Sequence, residues 1–175
     1  VAQIAKIKNC KVIGSAGGKE KCDLLKELGV DEVIDYKAHD TYESLLGALQ
    51  KAAPKGIDVY FDNVGGDHFE AAIECARPMA RFAVCGMISQ YNATEPVPGP
   101  RNMIQIVGKQ LSIRGFIVST HADMQPDFMA DMAKWIKSGQ MQFEETVMEG
   151  IESAPEAFLG LFQGRNRGKM LVKLT

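Results

Sequence analysis

The sequence contains no C-x-x-C pair: Cys10, Cys22, Cys75 and Cys85 are widely spaced along the chain. This spacing argues against a disulfide framework or a thiolate zinc site and points to a reducing, cytoplasmic setting. His39, His68 and His121 are far apart and share no metal-ligand spacing, so each reads as a surface or capping residue and no metal site is expected. No apolar run approaches the roughly 18 residues of a membrane helix. The opening Val1-Ala2-Gln3-Ile4-Ala5-Lys6 lacks the apolar core and cleavage site of a signal peptide. With a formal net charge of -2, there is no broad basic field for nucleic acid or an anionic membrane. Internal repeats and low-complexity stretches are also missing.

What is present suits one globular domain, or one domain with a small appendage: 175 residues, of which 46% are hydrophobic. Short apolar runs alternate with helical patterns through the first half. Strands are expected at 11–14, 32–35, 57–62 and 81–85, and helices at 19–28, 42–52 and 68–76, with Gly29 ending the first and Pro54 stopping the second. Such β-α-β-α order predicts an α/β fold with a parallel sheet covered on both faces, the doubly wound (Rossmann) arrangement. The stretch from Ser89 to Asn102 holds Pro96, Pro98 and Pro100 and reads as a long irregular loop. A strand at 111–118 and an amphipathic helix at 124–138 follow. The tail adds an extended run at 145–151, a helix at 154–162 and a strand at 169–174.

A dinucleotide-binding fold of this kind opens on a strand, a glycine-rich turn and a helix. No G-x-G-x-x-G is present, and residues 1–8 resemble the body of that first helix. The expectation is a chain lacking the first strand and the phosphate-cradling turn. The alternative is an unusual domain that begins on a helix.

Three places carry candidate chemistry. Where NAD enzymes put a carboxylate to hold the ribose 2′-hydroxyl, this sequence has Gly14-Ser15-Ala16-Gly17-Gly18 followed by Lys19 and Lys21. A lysine there would pair with a 2′-phosphate, predicting NADPH, although both lysines read equally well as solvated residues of a first helical turn. The second place is Asp62-Asn63-Val64-Gly65-Gly66 at a strand end, either a ligand-approaching turn or an ordinary Asn/Gly turn. The third is Cys85-Gly86-Met87-Ile88-Ser89-Gln90-Tyr91 after the next strand. Tyr91 is a candidate proton or hydrogen-bond donor, or a residue packed under the proline loop; Cys85 reads as a small core residue. Phe116-Ile117-Val118 reads as a buried strand end whose backbone also has the option of lining a pocket.

These segments, together with Gln3-Ile4-Ala5-Lys6, Asp35-Tyr36, Tyr60-Phe61-Asp62, Asn92, Gly115 and Gly164-Arg165-Asn166-Arg167-Gly168-Lys169, resemble the zinc-independent medium-chain dehydrogenase/reductase family of prostaglandin, 2-alkenal and NADPH-dependent curcumin reductases. Tyr91 to Pro96 looks most like the bacterial curcumin-reductase branch. The resemblance implies NADPH-dependent reduction of the carbon–carbon double bond of α,β-unsaturated ketones and aldehydes, in a homodimer. It also implies that Lys21 and Tyr36 hold the 2′-phosphate end of the cofactor, that Asn63 and Cys85, Gly86, Met87, Ile88, Ser89 and Tyr91 line it, that the backbone of Phe116, Ile117 and Val118 faces the nicotinamide, and that Asn166 reaches back to it. Some relatives carry a tyrosine shortly before the Ile113-Arg114 strand; residues 103–110 contain none. On this reading 1–140 is the nucleotide-binding domain and 141–175 a tail belonging partly to a catalytic domain. The alternatives are the cofactor domain of a zinc-type alcohol dehydrogenase and a non-catalytic nucleotide-binding module.

Overall fold

A computed structural model of the protein describes residues 1–174. The chain divides into two compact units, Val1–Met129 and Ala130–Thr175. The first contains helix α1 (Ala2–Ile7), strand β1 (Ile13–Ala16), α2 (Lys19–Glu27), β2 (Glu32–Asp35), α3 (Tyr42–Ala52), β3 (Ile57–Asp62), α4 (Gly66–Cys75), β4 (Ala76–Val84), α5 (Ile104–Gly108) and β5 (Ser112–Gly115). Helix α6 (Gln125–Lys137) runs across the division.

All strand pairs are parallel, as the β-α-β-α pattern predicts, and helices connect β1 to β2 and β3 to β4. The strands nevertheless form separate sheets. β1 pairs with β2, and β3-β4-β5 form a second sheet. In doubly wound order the place beside β1 and β3 belongs to the strand that leads into the glycine-rich turn, and the described residues supply none.

Register decides where the strands deliver their ends. Ala16 lies opposite Asp35, and Asp62, Val84 and Gly115 line up across the three-stranded sheet. The loops that follow therefore emerge at the carboxyl edge of each sheet, the edge at which such folds bind ligands.

Local signals account for most boundaries. Thr41 caps α3 by accepting the Ser44 amide at 3.2 Å. Small residues Ala71 and Ala72, both fully buried, let α4 lie close on the sheet. There Phe69 and Ile73 pack with Ala80, Phe82 and Leu111. A second cluster of Ile34, Leu45 and Ala52 sits under α3. Phe82 is the hub of an aromatic group, 5.3 Å from Tyr60 and 5.8 Å from Phe69 by ring centroids.

Several elements depart from the sequence expectation, among them β1, found at Ile13–Ala16 rather than 11–14, and β5, found at Ser112–Gly115 rather than 111–118. α4 starts at Gly66 rather than His68, because Gly65 and Gly66, at φ 72° and 54°, turn the chain straight into the helix. β4 begins at Ala76, earlier than expected, with a register shift opposite Ile57 and Val59. Pro78 brings no N–H to that stretch and Met79 takes φ 66°, its amide bonding Lys109 instead at 2.8 Å. α5 was not expected. It is too short for periodicity to reveal, and tertiary bonds hold it in place. Asn102 and Gln105 donate to Glu74, and the Lys109 ammonium donates to the last carbonyls of α4, Ile73 and Glu74, at 2.9 and 2.7 Å.

In the second unit β6 (Glu145–Glu149) and β7 (Lys169–Lys173) pair in parallel through α7 (Ala154–Gln163). Gly164 ends α7 in the left-handed conformation, φ 66°.

Candidate functional site

The site is built on the aligned ends of β3, β4 and β5. Asp62, only 1% exposed, organises it. Its Oδ1 accepts the amides of Val64 and Gly65 at 2.8 and 3.0 Å and the Tyr60 hydroxyl at 3.0 Å. The Asp62 carbonyl accepts the Cys85 and Gly86 amides at 2.8 and 3.1 Å. One residue thus shapes the glycine turn with its side chain and ties the next strand end to it with its backbone. Burial beside this carboxylate raises the Tyr60 phenol well above its ordinary range, so Tyr60 stays a neutral donor.

The turn after β4 is stitched to the turn after β3. The Asn63 carbonyl accepts the Ile88 amide at 3.0 Å, and the Val64 carbonyl accepts both the Ser89 amide at 3.1 Å and its hydroxyl at 2.6 Å. Close approach is built in: a methyl on Gly65 would meet Met87 Cβ at 2.9 Å, and one on Gly86 would meet the Tyr91 hydroxyl at 2.8 Å. Asn63 is exposed, and its side-chain amide makes no hydrogen bond among the described residues.

Beside these turns opens a cavity of about 490 Å³, lined by Val84, Cys85, Gly86, Met87, Gly115, Phe116, Ile117 and Thr120. Five of these, Cys85, Gly86, Met87, Phe116 and Ile117, are residues the sequence marked. Ile88 and Val118 stand exposed outside the lining, and Ser89 serves the turn instead. Three readings of the sequence are corrected here. Cys85 is exposed rather than a core residue, because β4 ends at Val84. Ile117 and Val118 do not form a buried strand end: β5 stops at Gly115, and Val118 starts a 3-10 turn. Tyr91 is not packed under the proline loop either. It is 68% exposed, its hydroxyl over Gly86 and without a hydrogen-bond partner among the described residues. Thr120 was missed, since its place on the wall depends on the 3-10 turn, where its hydroxyl donates to the Ile117 carbonyl at 2.7 Å.

A second cluster forms at the ends of β1 and β2. The Tyr36 hydroxyl lies over Gly17, 2.7 Å from where a methyl would stand, with Lys37 Cε at 2.9 Å from the same point. Lys21 lies in the first turn of α2, immediately after β1, and makes no ion pair among the described residues. Lys19 is committed elsewhere: it pairs with Asp23, which holds its ammonium above the ordinary range and the Asp23 carboxyl below its own. Of the two lysines weighed from sequence, Lys21 is the one left available. Lys37 is a further cation that sequence reasoning passed over.

The turn is not free of carboxylate, as the sequence implied. Parallel pairing sets Asp35 opposite Ala16, and its Oδ1 accepts the amides of Gly18 and Lys37 at 2.8 and 3.1 Å. Those two bonds direct this acid to the backbone. Asn166 belongs to the second unit, where its side-chain amide donates to the Gly168 carbonyl at 2.7 Å.

The family model described as zinc-binding dehydrogenase matches residues 1–137. The chain belongs to the zinc-binding dehydrogenase family. Within that family its relatives are specific. Prostaglandin reductase 1 of Bos taurus is 46% identical over 175 residues, 99% of this chain and 52% of that protein. NADPH-dependent curcumin reductase of Escherichia coli (strain K12) is 40% identical over 181 residues, 100% of this chain and 51% of the relative. The structure of CurA from Vibrio vulnificus in complex with NADPH superposes with a TM-score of 0.89 at 44% identity, covering 100% of this chain and 52% of CurA. The chain spans about half the length of the curated relatives it matches. Among the described residues, no group of three or more His, Cys, Asp and Glu side chains is gathered for a metal ion.

Proposed function

We propose that the protein uses NADPH to reduce the carbon–carbon double bond of α,β-unsaturated ketones and aldehydes, and that this chain supplies the part that binds the cofactor. The cavity at the ends of β4 and β5 carries the reading. It is an open concavity within the size range of small-molecule sites, with a largely apolar lining. The relatives named above are reductases, and CurA was crystallised with NADPH.

A bound NADPH would supply hydride to the β-carbon of the substrate. The protein's own contribution is placement. Cys85, Gly86, Met87, Phe116 and Ile117 form the wall for the nicotinamide end, and Ile88, Ser89 and Val118, beside that wall in sequence, would add cofactor contacts from its rim. Asn63, exposed at the turn, offers donor and acceptor to the cofactor. Tyr91 is the candidate catalytic residue: its free hydroxyl would donate to the developing enolate oxygen, where charge accumulates. Lys21 and Tyr36, joined by Lys37, would hold the 2′-phosphate, and Asn166 would complete the cofactor's contacts. In this reading 1–140 is the nucleotide-binding domain, 141–175 a tail shared with a catalytic domain, and the whole protein a cytoplasmic homodimer.

The test is cofactor discrimination in the intact protein. Lys21→Ala with Tyr36→Phe should raise the KM for NADPH by about 10- to 100-fold, the loss of one or two charge-assisted bonds, while leaving that for NADH nearly unchanged. An NADPH-to-NADH ratio equal to wild type would defeat the assignment of the phosphate subsite. No turnover of any enone by the wild type would defeat the activity.

A further inference from the structure

His68 occupies a position that the proposed chemistry does not use. It lies in the first turn of α4, directly after the glycine turn of the cavity. Yet it faces the other cluster. Its Nε2 shares a hydrogen bond with Ser15 Oγ at 3.1 Å, and its ring meets Tyr36 edge-on at 5.4 Å between centroids. No strand pairing joins the two sheets among the described residues, so this side chain is a direct tie between the end of β1, the turn after β2 and the start of α4. Around it stand Ser15 from β1, Tyr36 from the turn after β2, Asp62 from β3 and Asp67 from its own helix. The nearby Asp35 is engaged by the Gly18 and Lys37 amides.

We propose that His68 is the positioning residue of the 2′-phosphate subsite, holding Ser15 and Tyr36 in place and taking up a proton when a phosphate dianion arrives beside them. This rests on the reading that the chain binds NADP(H). Burial holds the His68 imidazolium below its ordinary range, with Asp62 and Asp67 pulling weakly the other way. In the free protein the ring is therefore neutral near pH 7. A dianion at Tyr36 would favour the imidazolium and raise that value, so binding and protonation are linked. NAD, which lacks the phosphate, would not engage the link.

Calorimetric titration of the intact protein with NADP+ and NAD+ at pH 6.5–7.5, in two buffers of different ionisation enthalpy, measures the protons exchanged. A 2′-phosphate titrates near pH 6 by itself, and binding it as the dianion releases protons, opposite in sign to uptake by His68. The His68→Phe variant keeps a ring against Tyr36 and isolates the phosphate's own part. The expected result is that wild type takes up more protons than His68→Phe with NADP+ and equally many with NAD+. Selectivity for NADP+ over NAD+ should fall by about three- to tenfold in the variant, the scale of one partly exposed charge pair. His68→Gln, which can still bond Ser15 but cannot take a proton, should recover part of the affinity and none of the uptake. Equal proton exchange in wild type and His68→Phe with NADP+ overturns the proposal while leaving NADP(H) binding intact. If wild type binds neither dinucleotide, the cofactor reading itself fails.

Discussion

Replacing Asp62 by alanine removes the acceptor on which the glycine turn depends. Two backbone amides and one phenol lose their bond to Oδ1. The Gly65 amide is buried and would stay unpaired, costing about 1–3 kcal/mol, whereas the Val64 amide and Tyr60 are partly reached by water. Against this, Oδ2 is buried without a partner, so deleting the carboxylate also relieves a desolvation cost. The net loss is about 2–3 kcal/mol, or roughly 4–12 °C in Tm for a chain of this size. Asp62→Asn keeps the acceptor but sets an amide NH2 where Oδ2 had no partner, and should cost less, about 1–2 kcal/mol. Urea unfolding gives the global values. Hydrogen exchange at Val64 and Gly65 reads the turn locally and should quicken before that of the Phe82 strand. Dinucleotide binding should weaken in step with turn exchange. Should Asp62→Ala unfold within 0.5 kcal/mol of wild type (a threshold on the order of a neutral surface change), or Asp62→Asn prove the worse of the two, the carboxylate is not what shapes the turn.

Two further outcomes are expected. Phe82→Ala empties the centre of the Tyr60–Phe69–Phe82 group, where Phe82 is only 2% exposed, and should cost about 3–5 kcal/mol; a loss under about 1 kcal/mol in chemical unfolding would show that the core lies elsewhere. Iodoacetamide should label Cys10 and Cys85, both exposed, well before the buried Cys22 and Cys75, whose thiols burial pushes up, that of Cys75 to about 11. Added NADP+ should protect Cys85 and leave Cys10 unchanged, and equal protection of both, read by peptide mass, would move the cofactor away from the cavity.

Much of this protein is set by local chemistry and so was legible in the order of residues. The periodicity of residues 42–52 and 57–62 depends on side-chain spacing alone, and α3 and β3 follow it. The strand-end segments Asn63 to Gly66 and Cys85 to Tyr91 announce themselves by glycines that only a turn needs. Relations across the chain depend on register and were invisible. Whether Cys85 is buried is decided by where β4 stops, and whether a carboxylate stands beside Gly18 by the pairing of Ala16 with Asp35. Helix α5 needs Glu74 and the open carbonyls of α4 before its five residues can hold. His68, apart from every motif in sequence, meets Ser15 and Tyr36 only because β1, β2 and α4 deliver their ends to one edge. The residue types thus determined which elements form and which turns are tight. Tertiary structure decided which charges and hydroxyls face each other, because those distances are set by parallel register and helix packing rather than by separation along the chain.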